Sequence, residues 1–262
     1  MPILRALLLL VLGALLGACS AGDGRAASEP ADGTASPVSS LAERCGSALP
    51  SGAQVRALTL EGDGGLTLSA AAFGPERART ALVLLHQTGP GGLCGWGRFA
   101  SRAAEQGLAV VAVDMCGYGD SDCPPGLESD PRAQVEPALA HVRDEVGARR
   151  VVLVGASMGG SNTVIAVSDG APVDAWVDVS GVSTWDGVRL QSRAGALRTA
   201  PPGLIVYARS DGPLEYAAAR RLARTSGTRF LDGGSGHGYE LVTDHRGRLL
   251  AAGRAVIRFA QG

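Results

Sequence analysis

Two patterns of apolar positions follow each other between residues 53 and 262. Residues 55–60 and 66–73 alternate apolar with polar or small side chains on either side of Gly62-Asp63-Gly64-Gly65, which predicts an antiparallel hairpin with one face against a core. Beyond it the alternation stops. Residues 81–85, 109–113, 151–154, 175–179 and 204–207 are short, near-continuous apolar runs, the pattern of strands buried on both faces of a sheet. Residues 96–106, 131–146, 158–168 and 214–225 between them read as helices, residues 228–231 as a further strand, and residues 254–260 as part of a closing helix. An antiparallel edge followed by repeated strand–helix alternation predicts an α/β fold, with a mostly parallel central sheet and helices on both faces. Ligands of such sheets bind beyond the carboxyl ends of the strands, so functional residues are expected in the loops that follow the apolar runs.

The N-terminal segment has a different character. Arg5 precedes a short apolar run that ends in Leu16-Gly17-Ala18-Cys19, an export signal over residues 1–18 that is too short for a comfortable permanent span. Leu16-Gly17-Ala18-Cys19 resembles the bacterial lipobox. That resemblance implies cleavage before Cys19, acylation of its sulfur, and a protein attached to a membrane of the bacterial cell envelope through a lipid anchor; two or more acyl chains give lasting attachment. Residues 20–40 are almost wholly Ala, Gly, Ser, Asp, Glu, Pro and Thr, a composition that buries too little apolar surface to fold. Residues 19–45 are therefore expected to be a lipidated cysteine and a disordered tether, and residues 53–262 one domain.

Net charge is −1, which gives no electrostatic reason for a nucleic-acid partner. All 24 basic residues are arginine, so no lysine is on hand as a catalytic base. With Cys19 assigned to lipid, Cys45, Cys94, Cys116 and Cys123 remain, an even number in an exported chain and hence two expected disulfides. Four cysteines allow three connectivities. The short loop between Cys116 and Cys123 favours that pair, leaving Cys45 with Cys94. No histidine lies at ligand spacing from a cysteine pair, which argues against a zinc site; no metal or organic cofactor is implied.

Candidate chemistry begins at Gly155-Ala156-Ser157-Met158-Gly159. A Gly-x-Ser-x-Gly sequence joining an apolar strand to a helix places its serine on a tight turn, where the flanking Gly155 and Gly159 let the backbone double back. Chance is a live alternative in a chain with 38 glycines, so the serine needs partners. Of the four histidines, His237 lies in a glycine-rich loop between the last strand and the last helix, where an imidazole can reach a serine at the strand ends. Asp211, in a Gly- and Pro-bounded turn after residues 204–207, is placed to orient that imidazole; Asp186, after the preceding strand, is the second choice. Asp211 also has a simpler reading, as the cap of the helix that follows.

With Gly155-Ala156-Ser157-Met158-Gly159, Asp211 and His237 in this order, residues 53–262 resemble the α/β-hydrolase superfamily, and within it lidless members of the dienelactone-hydrolase and esterase kind. The resemblance implies a Ser157, His237, Asp211 triad and an oxyanion hole built from the backbone N–H groups of Gln87 and Met158. Gln87 departs from the glycine usual after the histidine of this loop, here His86. The resemblance extends to the turn that starts at Asp114, whose expected role is to anchor loops beneath the nucleophile.

Only residues 182–202 separate the strand after the nucleophile helix from the strand before Asp211, enough for one connecting helix and no lid domain. An open, shallow site is expected, with Trp96 and Trp185 as candidate pocket residues, although an aromatic in such a fold is more often core. The function implied is hydrolysis of a carboxylic ester or related acyl bond in a small-molecule acyl substrate. Peptidase, thioesterase, lipase and haloperoxidase chemistry use the same constellation, and a non-catalytic envelope binding protein on a hydrolase scaffold is the alternative of a different class.

Overall fold

A computed structural model of the chain describes residues 37–262. Cys19, the export signal and most of the tether fall outside the described residues. The hairpin is present: β1 (Val55–Glu61) pairs antiparallel with β2 (Thr67–Phe73) in the register Val55 with Phe73 through Glu61 with Thr67. The apolar runs form β3 (Thr80–Leu85), β4 (Ala109–Val113), β5 (Arg150–Ala156), β6 (Ala175–Val179) and, after a small ribbon of β7 (Thr184–Trp185) and β8 (Val188–Arg189), β9 (Gly203–Tyr207) and β10 (Arg229–Asp232). The main sheet has eight strands in the order β1-β2-β4-β3-β5-β6-β9-β10. Pairing is antiparallel as far as β4 and parallel from β4 to β10.

Period-two geometry explains why the strands are apolar throughout. Ala81, Val83 and Leu85 of β3 and Val151 and Leu153 of β5 join the core on one face, with Val135 of α3 (Pro131–Asp144), Val164 of α4 (Met158–Ser168), Leu197 of α5 (Ala194–Leu197) and Leu222 of α6 (Pro213–Ser226). Leu82, Leu84, Val152 and Val154 face the other core, with Leu41 of α1 (Pro37–Cys45), Phe99 of α2 (Gly97–Ala104) and Val256 of α7 (Ala251–Gln261). After their first residues, Thr80 and Arg150, every position of β3 and β5 is therefore inside. Strand order reverses around β3 and β5, the switch point at which an open α/β sheet leaves a crevice above its carboxyl ends.

Three expectations are amended. The last nine residues of the segment read as a tether form α1, because Leu41 and Cys45, one helical turn apart, are both buried against the second core. The single helix expected in residues 182–202 is instead the β7–β8 ribbon, a 3-10 turn and the four-residue α5. Asp186 and Gly187 make the ribbon's tight turn with φ of 44° and 73°, the backbone that an Asp-Gly hairpin turn demands. Trp96 is fully buried, its Nε1 donating to the Leu85 carbonyl at 2.9 Å, and it belongs to the second core.

Both disulfides have the expected partners. Cys116 is bonded to Cys123 and Cys45 to Cys94, the latter joining residues 49 apart. Beside the second bond, Arg44 donates to the buried Asp114 carboxylate at 2.6 Å, while the Leu93 N–H donates to its other oxygen at 2.8 Å. The Ser121 hydroxyl also donates to the Asp114 carbonyl at 2.7 Å. Asp114 thus ties α1, the loop after β3 and the loop after β4 together.

Asp114→Ala leaves Arg44 and the Leu93 N–H without their acceptor, and is expected to lower unfolding free energy by about 2–4 kcal/mol; urea unfolding followed by tryptophan fluorescence measures it. Asp178 of β6 gives a pH test. Burial pushes its carboxyl up to about 7, against the stabilising hydrogen bond from the Gly181 N–H at 2.7 Å. The folded state therefore holds a proton that the unfolded chain releases near pH 4, so this contribution to stability is complete below pH 4 and lost as pH rises toward 7. Asp178→Asn is expected to remove that loss, so that the variant unfolds at a higher temperature relative to wild type at pH 8 than at pH 4.

Candidate active site

The turn from β5 into α4 is forced by close packing. Ser157 has φ of 51° and ψ of −113°, a conformation that side chains rarely adopt, and its N–H donates to the Val179 carbonyl at 2.8 Å. A Cβ at Gly155 would run into the Gly159 carbonyl, and one at Gly159 into the Leu85 carbonyl. Only glycine fits at either place. Ser157 itself is nine-tenths buried at the carboxyl end of β5, and its Oγ makes no hydrogen bond among the described residues.

Asp211 and His237 are brought together from loops 26 residues apart. His237 Nδ1 lies 2.8 Å and 2.7 Å from the two Asp211 carboxylate oxygens. Asp211 ends a short 3-10 turn after β9, and its side chain does not cap α6, whose cap position is Gly212. The capping role is thereby excluded. Asp186 lies in the exposed turn of the β7–β8 ribbon and has no hydrogen bond to His237 among the described residues.

The loop that carries His237 is hung on residues beside the elbow. The Gly238 N–H donates to the Ser180 hydroxyl at 3.1 Å, and a Cβ at Gly238 would collide with the Gln87 side-chain oxygen and approach Ala156 to 3.6 Å. Tyr239 and Gln87 bind each other reciprocally: the Gln87 N–H donates to the Tyr239 hydroxyl at 2.9 Å, and the Tyr239 N–H to Gln87 Oε1 at 3.3 Å. The Tyr239 hydroxyl donates in turn to the Gly92 carbonyl at 3.3 Å, and its ring packs at 5.0 Å on Trp96. Burial holds this phenol above the ordinary tyrosine range, so it is a neutral hydroxyl at physiological pH.

Of the two backbone donors expected for an oxyanion hole, one is engaged. Gln87 spends its N–H on Tyr239, whereas Met158 opens α4, where helix geometry leaves the first N–H groups without an intrahelical acceptor. The following N–H, of Gly159, donates to the His86 carbonyl at 3.1 Å. His86 is structural. Its Nε2 accepts the Met115 N–H at 3.0 Å, which leaves the proton on Nδ1 for the Gln87 carbonyl at 2.8 Å; burial lowers its pKa and keeps the ring neutral.

Beside the elbow, Met158 lines a cleft of about 880 Å³ between the β7–β8 ribbon and the start of α3. Trp185 and Asn162 line it as well. Ser157, His237 and Asp211 do not line this cleft, which meets the elbow at Met158. Tyr239, Ser180 and Asn162 carry no motif, and only the Asp186-Gly187 dipeptide among these features has a local signal that marks it.

Comparisons with known proteins bear on the fold. A family described as alpha/beta hydrolase fold matches residues 81–177. A 2-hydroxy-6-oxononadienedioate/2-hydroxy-6-oxononatrienedioate hydrolase of Burkholderia vietnamiensis is 46% identical over 90 residues, covering 32% of this chain and 30% of the relative. The chain thus spans less than a third of the length of that curated relative. Among solved structures, an enol-lactonase of Burkholderia xenovorans superposes with a TM-score of 0.62 at 15% identity, over 78% of this chain and all of the other (100%). A CIB-like hydrolase of Thermoplasma acidophilum superposes with a TM-score of 0.61 at 21% identity, over 79% and 98%. The described domain has the alpha/beta hydrolase fold, with antiparallel edge strands and no large lid.

Proposed function

We propose that the protein is a serine hydrolase that cleaves a carboxylic ester or related acyl bond, exported and held to a bacterial membrane by lipid on Cys19. The observation that carries the reading is the Asp211–His237 pair, at 2.7 Å, in the loops above the strained Ser157 elbow. Two disulfides support an oxidising compartment. The hydrolase names of the relatives support the reaction class.

Ser157 Oγ attacks the acyl carbonyl carbon while His237 Nε2 takes its proton; Asp211, on Nδ1, fixes the tautomer and stabilises the imidazolium. The negative charge on the tetrahedral oxygen falls at the amino end of α4, where the Met158 N–H and the helix dipole favour it. Collapse breaks the bond to the alcohol oxygen, which leaves with the proton from His237. Water then repeats the sequence on the acyl-enzyme and frees the acid. The Gln87–Tyr239 pair keeps the His237 loop in register with the elbow, which gives the glutamine a purpose where the resembling family has glycine.

Ser157→Ala is expected to abolish covalent labelling by a fluorophosphonate and to reduce kcat on short p-nitrophenyl esters by at least about 10³-fold; Asp211→Asn is expected to lower kcat by about 10³–10⁴-fold. Labelling and hydrolysis that are equal in Ser157→Ala and wild type would remove the proposal. Tyr239→Phe deletes the hydrogen bond from the Gln87 N–H and is expected to lower kcat about 5-fold with little change in KM, as befits about 1 kcal/mol of positioning. A rise in kcat would instead mean that Tyr239 masks the Gln87 N–H.

A further inference from the structure

Deep in the cleft beside the elbow, Asn162 presents an amide whose hydrogen-bonding capacity the fold leaves largely unused. Asn162 is 6% exposed and lines the cleft. Its Nδ2 reaches only the Met115 thioether, at 3.4 Å, a weak acceptor. No protein donor meets its Oδ1 among the described residues. The amide oxygen is open to the cleft and not sealed in the core, so the group is available to whatever occupies the cleft.

Its position says what that is. Asn162 lies four residues after Met158 on α4, so both side chains share a face and the amide stands about 6 Å along the helix from the candidate oxyanion donor. Ile165, Val188 and Trp185 supply apolar wall around it. A carbonyl held at the Met158 N–H would thus place a short carbon chain along this wall, with its next polar atom at Asn162.

The charges of the cleft choose between kinds of polar atom. Glu128, Asp130, Asp169 and Asp186 line it, and the two arginines that do so are engaged: Arg193 with Asp169 at 2.7 Å, Arg132 with Glu136 at 3.0 Å and with the Asp169 carbonyl at 3.0 Å. A carboxylate there would meet like charge, and it has no proton to give Oδ1. A hydroxyl both donates and accepts, matching the two halves of the amide.

Building on the serine-hydrolase reading, we propose that this cleft holds the acyl chain of the substrate and that Asn162 selects a short, uncharged acyl group carrying a hydroxyl a few carbons from the reacting carbonyl. The specificity rests on a hydrogen-bond pair that an unsubstituted chain leaves unmade and that a dicarboxylic half-ester replaces with repulsion.

The test compares kcat/KM for the p-nitrophenyl esters of butyrate, 3-hydroxybutyrate and succinate. Wild type is expected to favour 3-hydroxybutyrate over butyrate about tenfold and to place succinate last. In Asn162→Leu the ratio of the first two is expected to fall to near one, with a melting temperature recorded alongside. A wild-type ratio near one, a preference for succinate, or a ratio that survives in a folded Asn162→Leu overturns the inference; the wild-type ratios decide even if the variant does not fold. Ser157→Ala run in parallel separates the two levels: Ser157-dependent hydrolysis without discrimination defeats this inference alone, whereas hydrolysis independent of Ser157 defeats the serine-hydrolase reading beneath it.

Discussion

The backbone of Ser157 is the constraint on which the upper side of the molecule depends. A non-glycine residue at φ 51° and ψ −113° costs on the order of 1–3 kcal/mol and persists only where its surroundings allow nothing else. Here they do not. Val179 of β6 accepts the Ser157 N–H, the Leu85 carbonyl of β3 lies where a side chain at position 159 would be, and Gly160 packs against the Asp178 carboxyl. The elbow therefore requires β3, β5 and β6 to be neighbours in parallel register, which is the order observed. Sheet topology and nucleophile geometry are one requirement seen at two scales.

Two buried titratable groups near the elbow, His86 and Asp178, are pushed toward their uncharged forms. His86 is neutral because burial opposes its protonation, and Asp178 keeps its proton to about 7 for the same reason. Each is also committed to a backbone partner: His86 to Met115 and Gln87, Asp178 to Gly181. With the Asp114 carboxylate already paired to Arg44, the polar groups beneath Ser157 are committed to fixing loops, and a developing oxyanion would meet the oriented N–H groups at the start of α4.

Legibility in the sequence divides along local and distant contacts. Continuous apolar runs, the glycines beside Ser157 and the turn residues around Asp211 and His237 are signals written within a few positions, and the strands and loops they predict are present. Tyr239 and Gln87 are 152 residues apart, and nothing near either marks the other. Asn162 reads as one more polar residue in a helix until the cleft beside it is seen. Trp96 misled for the same reason: whether an aromatic at a loop's end points outward or into the core is decided by what packs on it, here Phe99, Tyr239 and the Leu85 carbonyl. Helix α1 escaped because its composition is that of a tether, and only burial of Leu41 and the bond from Cys45 make it part of the domain.

That bond also bears on how the site stays assembled. The loop from His86 to Trp96 buries Leu93 and Trp96 in the second core and must offer the Gly92 carbonyl to Tyr239. Cys45–Cys94 and Arg44–Asp114 both clamp this loop from α1, one covalently and one through a buried carboxylate that also takes the Leu93 N–H. Tyr239 carries the restraint onward to Gln87 and to the loop of His237. A rearrangement of α1 would thus act on the imidazole through fixed contacts, from the loop after β3 by way of Tyr239 to the loop of His237.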